Sequence, residues 1–235
     1  MTQPSKVRQV ARVAIGNFLV MYDFTVFGYY AAAIGRAFFS TQNEYASLML
    51  SLMTFGTGFL MRPLGAIVLG AYIDHNGRRK GLLLTLSLMA VGTFAIGITP
   101  GYESIGLFAP LLVVAARMVQ GLSAGVEIGG VSVYLAEIAT PGRRGFFVSW
   151  QSASQQVAVI FAALIGLILS TTLRPEQMAG WGWRIPLLAG SMLIPFVLLL
   201  RRSLTETDEF KAQKHHPHPS EIWRNVVANW RLMIL

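Results

Sequence analysis

Cysteine is absent from the 235 residues, which excludes disulfides, thiolate chemistry, iron–sulfur clusters and cysteine-type zinc sites. Charge is scarce: 13% of residues are Asp, Glu, Lys or Arg, against about 25% in ordinary soluble domains. Only 11 residues are acidic, whereas 54% are apolar and the mean hydropathy is +0.53. Such a chain cannot cover a water-facing globule, so a soluble enzyme, a disordered tail and a collagen-like chain are excluded. The signatures G-x-G-x-x-G and H-E-x-x-H are missing, and no enzymatic activity is expected. The four histidines (His75, His215, His216 and His218) all lie outside the apolar blocks. Pro217 and Pro219 interrupt the last three, which favours an extended linker over a metal site, and neither metal nor cofactor is expected.

What the chain has instead is six apolar blocks, at 13–37, 47–73, 81–99, 107–136, 146–172 and 184–200. Each is long enough for a bilayer, which needs roughly 20 residues per helix. Lys6, Arg8 and Arg12 precede the first block in the manner of a secretory signal. That block is too long for a signal core, holds Asp23 and is followed by five more. The expected fold class is an all-α membrane protein.

The net charge of +8 does not point to nucleic acid here. Basic residues gather before block one, between blocks two and three (Arg78, Arg79, Lys80), between four and five (Arg143, Arg144) and after six. That alternation places both ends of the chain in the cytoplasm, with the charge facing anionic lipid headgroups. Trp181 and Trp183 fit an aromatic belt at the outer interface. The expected organisation is a cytoplasmic N-terminus over 1–12, a bundle over 13–200, a polar connector over 201–225 and the start of a seventh helix over 226–235. A half-span leaves backbone groups unpaired in hydrocarbon, so the chain reads as the first half of a longer protein.

Charge inside a span is costly and commonly functional. Asp23, Arg62 and Arg117 each lie about 15 Å or more from the ends of their blocks, and Glu127 shares block four with Arg117. Ten positions, roughly 15 Å of rise, separate Arg117 from Glu127, so these two cannot pair directly. Structural ion pairing within the bundle is the plain alternative to a transport role. In block four, Arg117, Gln120, Ala124 and Glu127 fall within an arc of roughly 80°. Gly121, Gly125 and Gly129 form a small-residue ridge on another side, suited to close helix packing. Block five opens with Ser149, Gln151, Ser152, Ser154, Gln155 and Gln156, which suit either a wet cavity or a polar seam between helices.

The loop Gly70-Ala71-Tyr72-Ile73-Asp74-His75-Asn76-Gly77-Arg78-Arg79-Lys80 resembles the signature loop of the major facilitator superfamily. Arg117, Gln120 and Gly121 resemble its second motif. Arg62-Pro63-Leu64-Gly65, Gly125-Val126-Glu127-Ile128-Gly129-Gly130 and Gly182-Trp183-Arg184-Ile185-Pro186 are similar to its metabolite:H+ symporter branch. The stretch 123–156 resembles the citrate–proton symporters and tricarballylate carriers within that branch. One departure stands out: Val20 and Met21 occupy positions where the branch has Glu and an aromatic residue, although Asp23 and Phe24 remain. Any coupling role of that carboxylate in relatives is missing here.

The resemblance implies a six-helix half of a major facilitator, built from two inverted three-helix repeats and facing a second, C-terminal half across a central site. It implies uptake of a small anionic substrate with protons across the bacterial inner membrane, with a tricarboxylate, citrate first, as the solute. Arg117 and Arg62 are the expected carboxylate ligands, with Gln120, Gln151 and Gln155 taking further oxygens. Asp23 and Glu127 are the expected proton carriers, and Asp74, Arg78, Glu137 and Arg143 the expected cytoplasmic gating charges. Tricarballylate, a dicarboxylate or an osmolyte such as betaine are the alternative solutes. A non-transporting membrane module, or a truncated half-transporter, is the alternative of another class.

Overall fold

Apolar blocks of this length become helices in a bilayer because only intrachain pairing satisfies their backbone N–H and C=O groups. The computed structural model describes residues 6–39, 41, 43–202, 204 and 228, and the helices account for nearly all of them. They are α1 (Lys6–Tyr29), α2 (Ala31–Phe38), α3 (Glu44–Asn76), α4 (Arg78–Ile98), α5 (Tyr102–Ile105), α6 (Phe108–Glu137), α7 (Arg144–Thr172), α8 (Pro175–Gln177) and α9 (Arg184–Arg202). A π-helical turn, Met178–Gly182, joins α8 to α9. Helices α1, α3, α4, α6, α7 and α9 are long and apolar enough to cross a membrane. The connector and the start of the seventh helix, apart from Arg201, Arg202, Leu204 and Ala228, lie outside the described residues.

Contacts between helices follow an internal exchange. Helix α3 lies along α6 and α7 along α1, while α4 touches α6, α9 touches α1, and α4 touches α9. Replacing α1, α3 and α4 by α6, α7 and α9 maps this pattern onto itself. Three spans per repeat oblige the second repeat to enter from the opposite side, which gives the inverted pair. Helix α1 sits innermost: 67% of its most apolar stretch is buried, against 17% for both α3 and α7.

Backbones of α3 and α6 meet directly. A methyl group on Gly121 would lie 2.2 Å from the Gly58 carbonyl oxygen, and one on Gly125 would lie 2.1 Å from that of Arg62. Gly129 faces open space, so the ridge expected at 121, 125 and 129 ends after two members. Trp183 also departs from the belt reading. Trp181 is exposed, but Trp183 is fully buried edge-on against Phe38, 5.6 Å between ring centres. The π turn just before α9 directs the two tryptophans to different environments.

Candidate functional site

Three elements converge on Arg117 in mid-bundle. Its Nη1 donates to Asp23 Oδ2 from α1 at 3.1 Å and to Gln120 Oε1, one turn along α6, at 2.5 Å. Thr93 of α4 closes the ring, donating to Asp23 Oδ1 at 2.8 Å and accepting from Gln120 Nε2 at 2.9 Å. Arg117, Gln120, Asp23 and Thr93 are all buried. In such surroundings a lone charge is costly, and a hydrogen-bonded pair offsets that cost. Among the described residues Nε and Nη2 of this guanidinium lack hydrogen-bond partners. Aromatic rings cover it, with Phe27 at 3.8 Å and Phe24 at 4.9 Å from the guanidinium carbon to ring centre.

A second buried pair lies further along α6. Arg201 Nη2 meets Glu127 Oε1, and Nη1 lies 3.3 Å from Oε2. Thr85 of α4 donates to the same Oε2 at 2.5 Å. Arg201 also donates to the carbonyls of Leu82 at 2.7 Å and Val13 at 3.3 Å. The space for its guanidinium comes from Gly16, where a methyl group would sit 2.1 Å from Nη2. One node therefore joins α1, α4, α6 and α9, with an ion pair whose two side chains are fully buried.

Between α1, α3, α6 and α7 opens a cavity of about 280 Å³, with Val20, Met21, Phe24, Phe55, Arg62 and Gln155 in its wall. Binding pockets are commonly ~300–1,000 Å³, so this volume suits one side of a larger site. Val20 and Met21, the two residues that depart from the symporter pattern, are in that wall, which accordingly carries no carboxylate at position 20. Arg62 is half-buried, and its guanidinium carbon lies 4.1 Å from the Phe59 ring centre and 4.5 Å from that of Phe24. Among the described residues it has no acidic partner.

The polar residues of α7 divide by face. Gln151 donates to the Ile128 carbonyl at 3.1 Å and accepts from Ser132 at 2.5 Å, so both ends of its amide are used in the seam with α6. Asn17 of α1 donates to the Gln151 carbonyl at 2.9 Å and to Ser154 at 2.8 Å. Gln155 lies on the cavity side of this seam, with Nε2 3.5 Å from Asn17 Oδ1. Of the expected cluster, Gln151 and Ser154 lie in the seam and Gln155 at the cavity, while Ser149, Ser152 and Gln156 are exposed. Where α3 meets α4, Arg78 pairs with Asp74 and lies 3.3 Å from Glu137 at the end of α6. Arg143 is exposed at the start of α7, apart from that cluster.

Comparison with known proteins gives this geometry a context. Residues 10–221 match the sugar (and other) transporter family. The chain belongs to that family. It is 55% identical over 98% of its length to a citrate-proton symporter of Klebsiella pneumoniae, and 58% identical over 95% to one of Salmonella typhi. The chain spans about half of each, 52% in both cases. A partially occluded inward-open structure of the xylose transporter XylE from E. coli superposes with a TM-score of 0.79 at 17% identity, over 98% of this chain and 57% of that one. The fold is therefore that of a six-helix half of a major facilitator.

Several participants escape a reading of the sequence. Thr85 and Thr93 look like ordinary span residues until α4 brings each against an acid. Arg201 reads as one of the basic residues that follow the last span. The signal that distinguishes it is periodicity: Leu187, Gly190, Ile194, Val197 and Arg201 form the continuous buried stripe of α9. Arg202, one step round the helix, is exposed.

Proposed function

We propose that the chain is the N-terminal half of a secondary transporter that imports citrate together with protons across the bacterial inner membrane. Both of its ends face the cytoplasm, and a second six-helix half closes the site. Arg62 carries the reading: a guanidinium in the wall of a four-helix cavity, with no acidic partner among the described residues, favours a carboxylate-bearing solute. The 55–58% identical relatives, named citrate-proton symporters, support citrate as that solute. The basic loops support the orientation.

In this reading Arg62 and Gln155 receive the anion, and Asp23 carries the proton. Protonation of Asp23 removes the negative charge that occupies Arg117 Nη1. Arg117 keeps its charge at physiological pH, so its three remaining donor positions on Nε and Nη2, with Nη1, turn towards the only anion left, a substrate carboxylate. Loss of the proton restores the Asp23–Arg117 pair and expels the substrate. Asp74, Arg78 and Glu137 latch the cytoplasmic ends of α3, α4 and α6 during the cycle, with Arg143 as an outlying charge.

Uptake of labelled citrate by the whole transporter in proteoliposomes tests this. Accumulation should require an inward proton gradient, with tricarballylate competing and betaine not. Accumulation indifferent to the gradient, or betaine as the better substrate, overturns the reading.

A further inference from the structure

Arg117 is enclosed without being satisfied. Among the described residues its Nε and Nη2 have no hydrogen-bond partner, and three rings, Phe24, Phe27 and Phe55, lie against the guanidinium. Two of those rings, Phe24 and Phe55, stand 4.9 and 5.2 Å from the guanidinium carbon and also belong to the cavity wall. Phe24 serves the other side as well, with Arg62 4.5 Å from the same ring centre. The same two rings thus border a cavity holding one guanidinium and touch a second guanidinium that has unpartnered donors.

Such a cover is replaceable. A cation over a ring gains a modest electrostatic attraction and leaves the N–H donors unbonded. A carboxylate in the same place would satisfy two donors at once with the stronger charge-assisted bonds. Phe55 is stacked face to face on Phe27 at 5.7 Å, whereas Phe24 meets Phe59 edge-on at 5.6 Å and Phe55 at a tilt at 6.0 Å, without a parallel partner. Phe24 follows Asp23 directly on α1, so ring and carboxylate belong to one helical turn.

We propose that Phe24 is the coupling gate of this half. Its ring shuts substrate carboxylates off from Arg117 while Asp23 is ionised, and yields once Asp23 is protonated, so that substrate passes only with a proton. Among the described residues Asp23 meets Arg117 from α6, the neutral Thr93 from α4 and the neighbouring Tyr22 of α1, and Arg62 from α3 lies over the Phe24 ring within electrostatic reach of Arg117. Protonation therefore changes the balance between one acid and two cations. This inference rests on the citrate–proton reading above.

The test compares wild type with Phe24→Ala and Phe24→Tyr in proteoliposomes, reading citrate affinity against pH and protons moved per citrate. Citrate's own titration cancels in the comparison. In the wild type, affinity should rise as pH falls. Phe24→Ala should bind citrate at high pH at least tenfold more tightly than wild type, with a flattened pH profile. It should carry citrate downhill with few or no protons and lose accumulation. Phe24→Tyr, which keeps a ring, should stay coupled. A wild-type proton ratio and pH profile in Phe24→Ala, or equal uncoupling in Phe24→Tyr, overturns the gate. If Phe24→Ala does not reach the membrane, Phe24→Leu takes its place: it keeps most of the volume without the ring, and a coupled Phe24→Leu overturns the gate equally. A wild type that moves citrate without protons removes the transport reading and the gate with it, whereas a coupled Phe24→Ala beside a coupled wild type removes the gate alone.

Discussion

Arg201, at the last turn of α9, meets both carboxylate oxygens of Glu127 in the middle of α6, and neither side chain is accessible to solvent. The same guanidinium holds backbone carbonyls of α1 and α4, so each three-helix repeat is tied to the other through it. Glu127 is fully engaged by Arg201 and Thr85, whereas Asp23 shares an arginine with free donors beside the cavity. The two acids were equivalent candidates in sequence; their surroundings in the fold differ.

Glu127 is accordingly expected to act as a brace. Glu127→Gln leaves Arg201 as an unpaired buried cation, and Arg201→Met leaves the carboxylate. Each should cost about 3–5 kcal/mol, because breaking one side of a buried pair strands the other. The double variant removes both charges and should recover most of the thermal stability in detergent, with citrate–proton coupling intact. A double variant that is stable but uncoupled would show that Glu127 carries a proton.

Asp23→Asn keeps the size and a hydrogen-bonding oxygen while fixing the neutral form. Uphill citrate accumulation should disappear, and exchange of labelled for unlabelled citrate should persist, since exchange requires no net proton release. Accumulation at the wild-type level would move the proton site elsewhere.

Arg62→Lys retains the charge in the cavity wall but loses the planar fork that matches a carboxylate. Citrate affinity should fall by roughly tenfold, the equivalent of about 1.4 kcal/mol, with proton dependence unchanged. Isothermal titration of the purified transporter would measure the loss. Unaltered affinity would take Arg62 out of the binding site.

Gly121→Ala places a methyl group 2.2 Å from a backbone oxygen of α3, which cannot swing aside as a side chain can. The melting temperature should drop by an amount corresponding to about 1–3 kcal/mol, the usual cost of overpacking. Gly129→Ala, facing open space, should be neutral or slightly stabilising, since alanine favours helix by about 1 kcal/mol over glycine. Equal losses at both positions would mean that α3 and α6 do not meet at these glycines.

Composition and block length by themselves determined the membrane-spanning character, the six spans and the identity of the unusual charges. These properties are local: a bilayer demands helices of a certain length and makes any charge within them conspicuous. The branch pattern likewise marked Val20 and Met21, and both line the cavity. Only the tertiary structure decided which charge neutralises which. Asp23 and Arg117 are 94 positions apart in the chain, and Glu127 and Arg201 are 74 apart. Their pairing depends on helix rotation and register, which a hydropathy profile does not encode. Gln151 and Gln155 illustrate the same limit at short range. One helical turn apart and alike in chemistry, they part because one face of α7 is sealed against α1 and α6 while the neighbouring face borders the cavity.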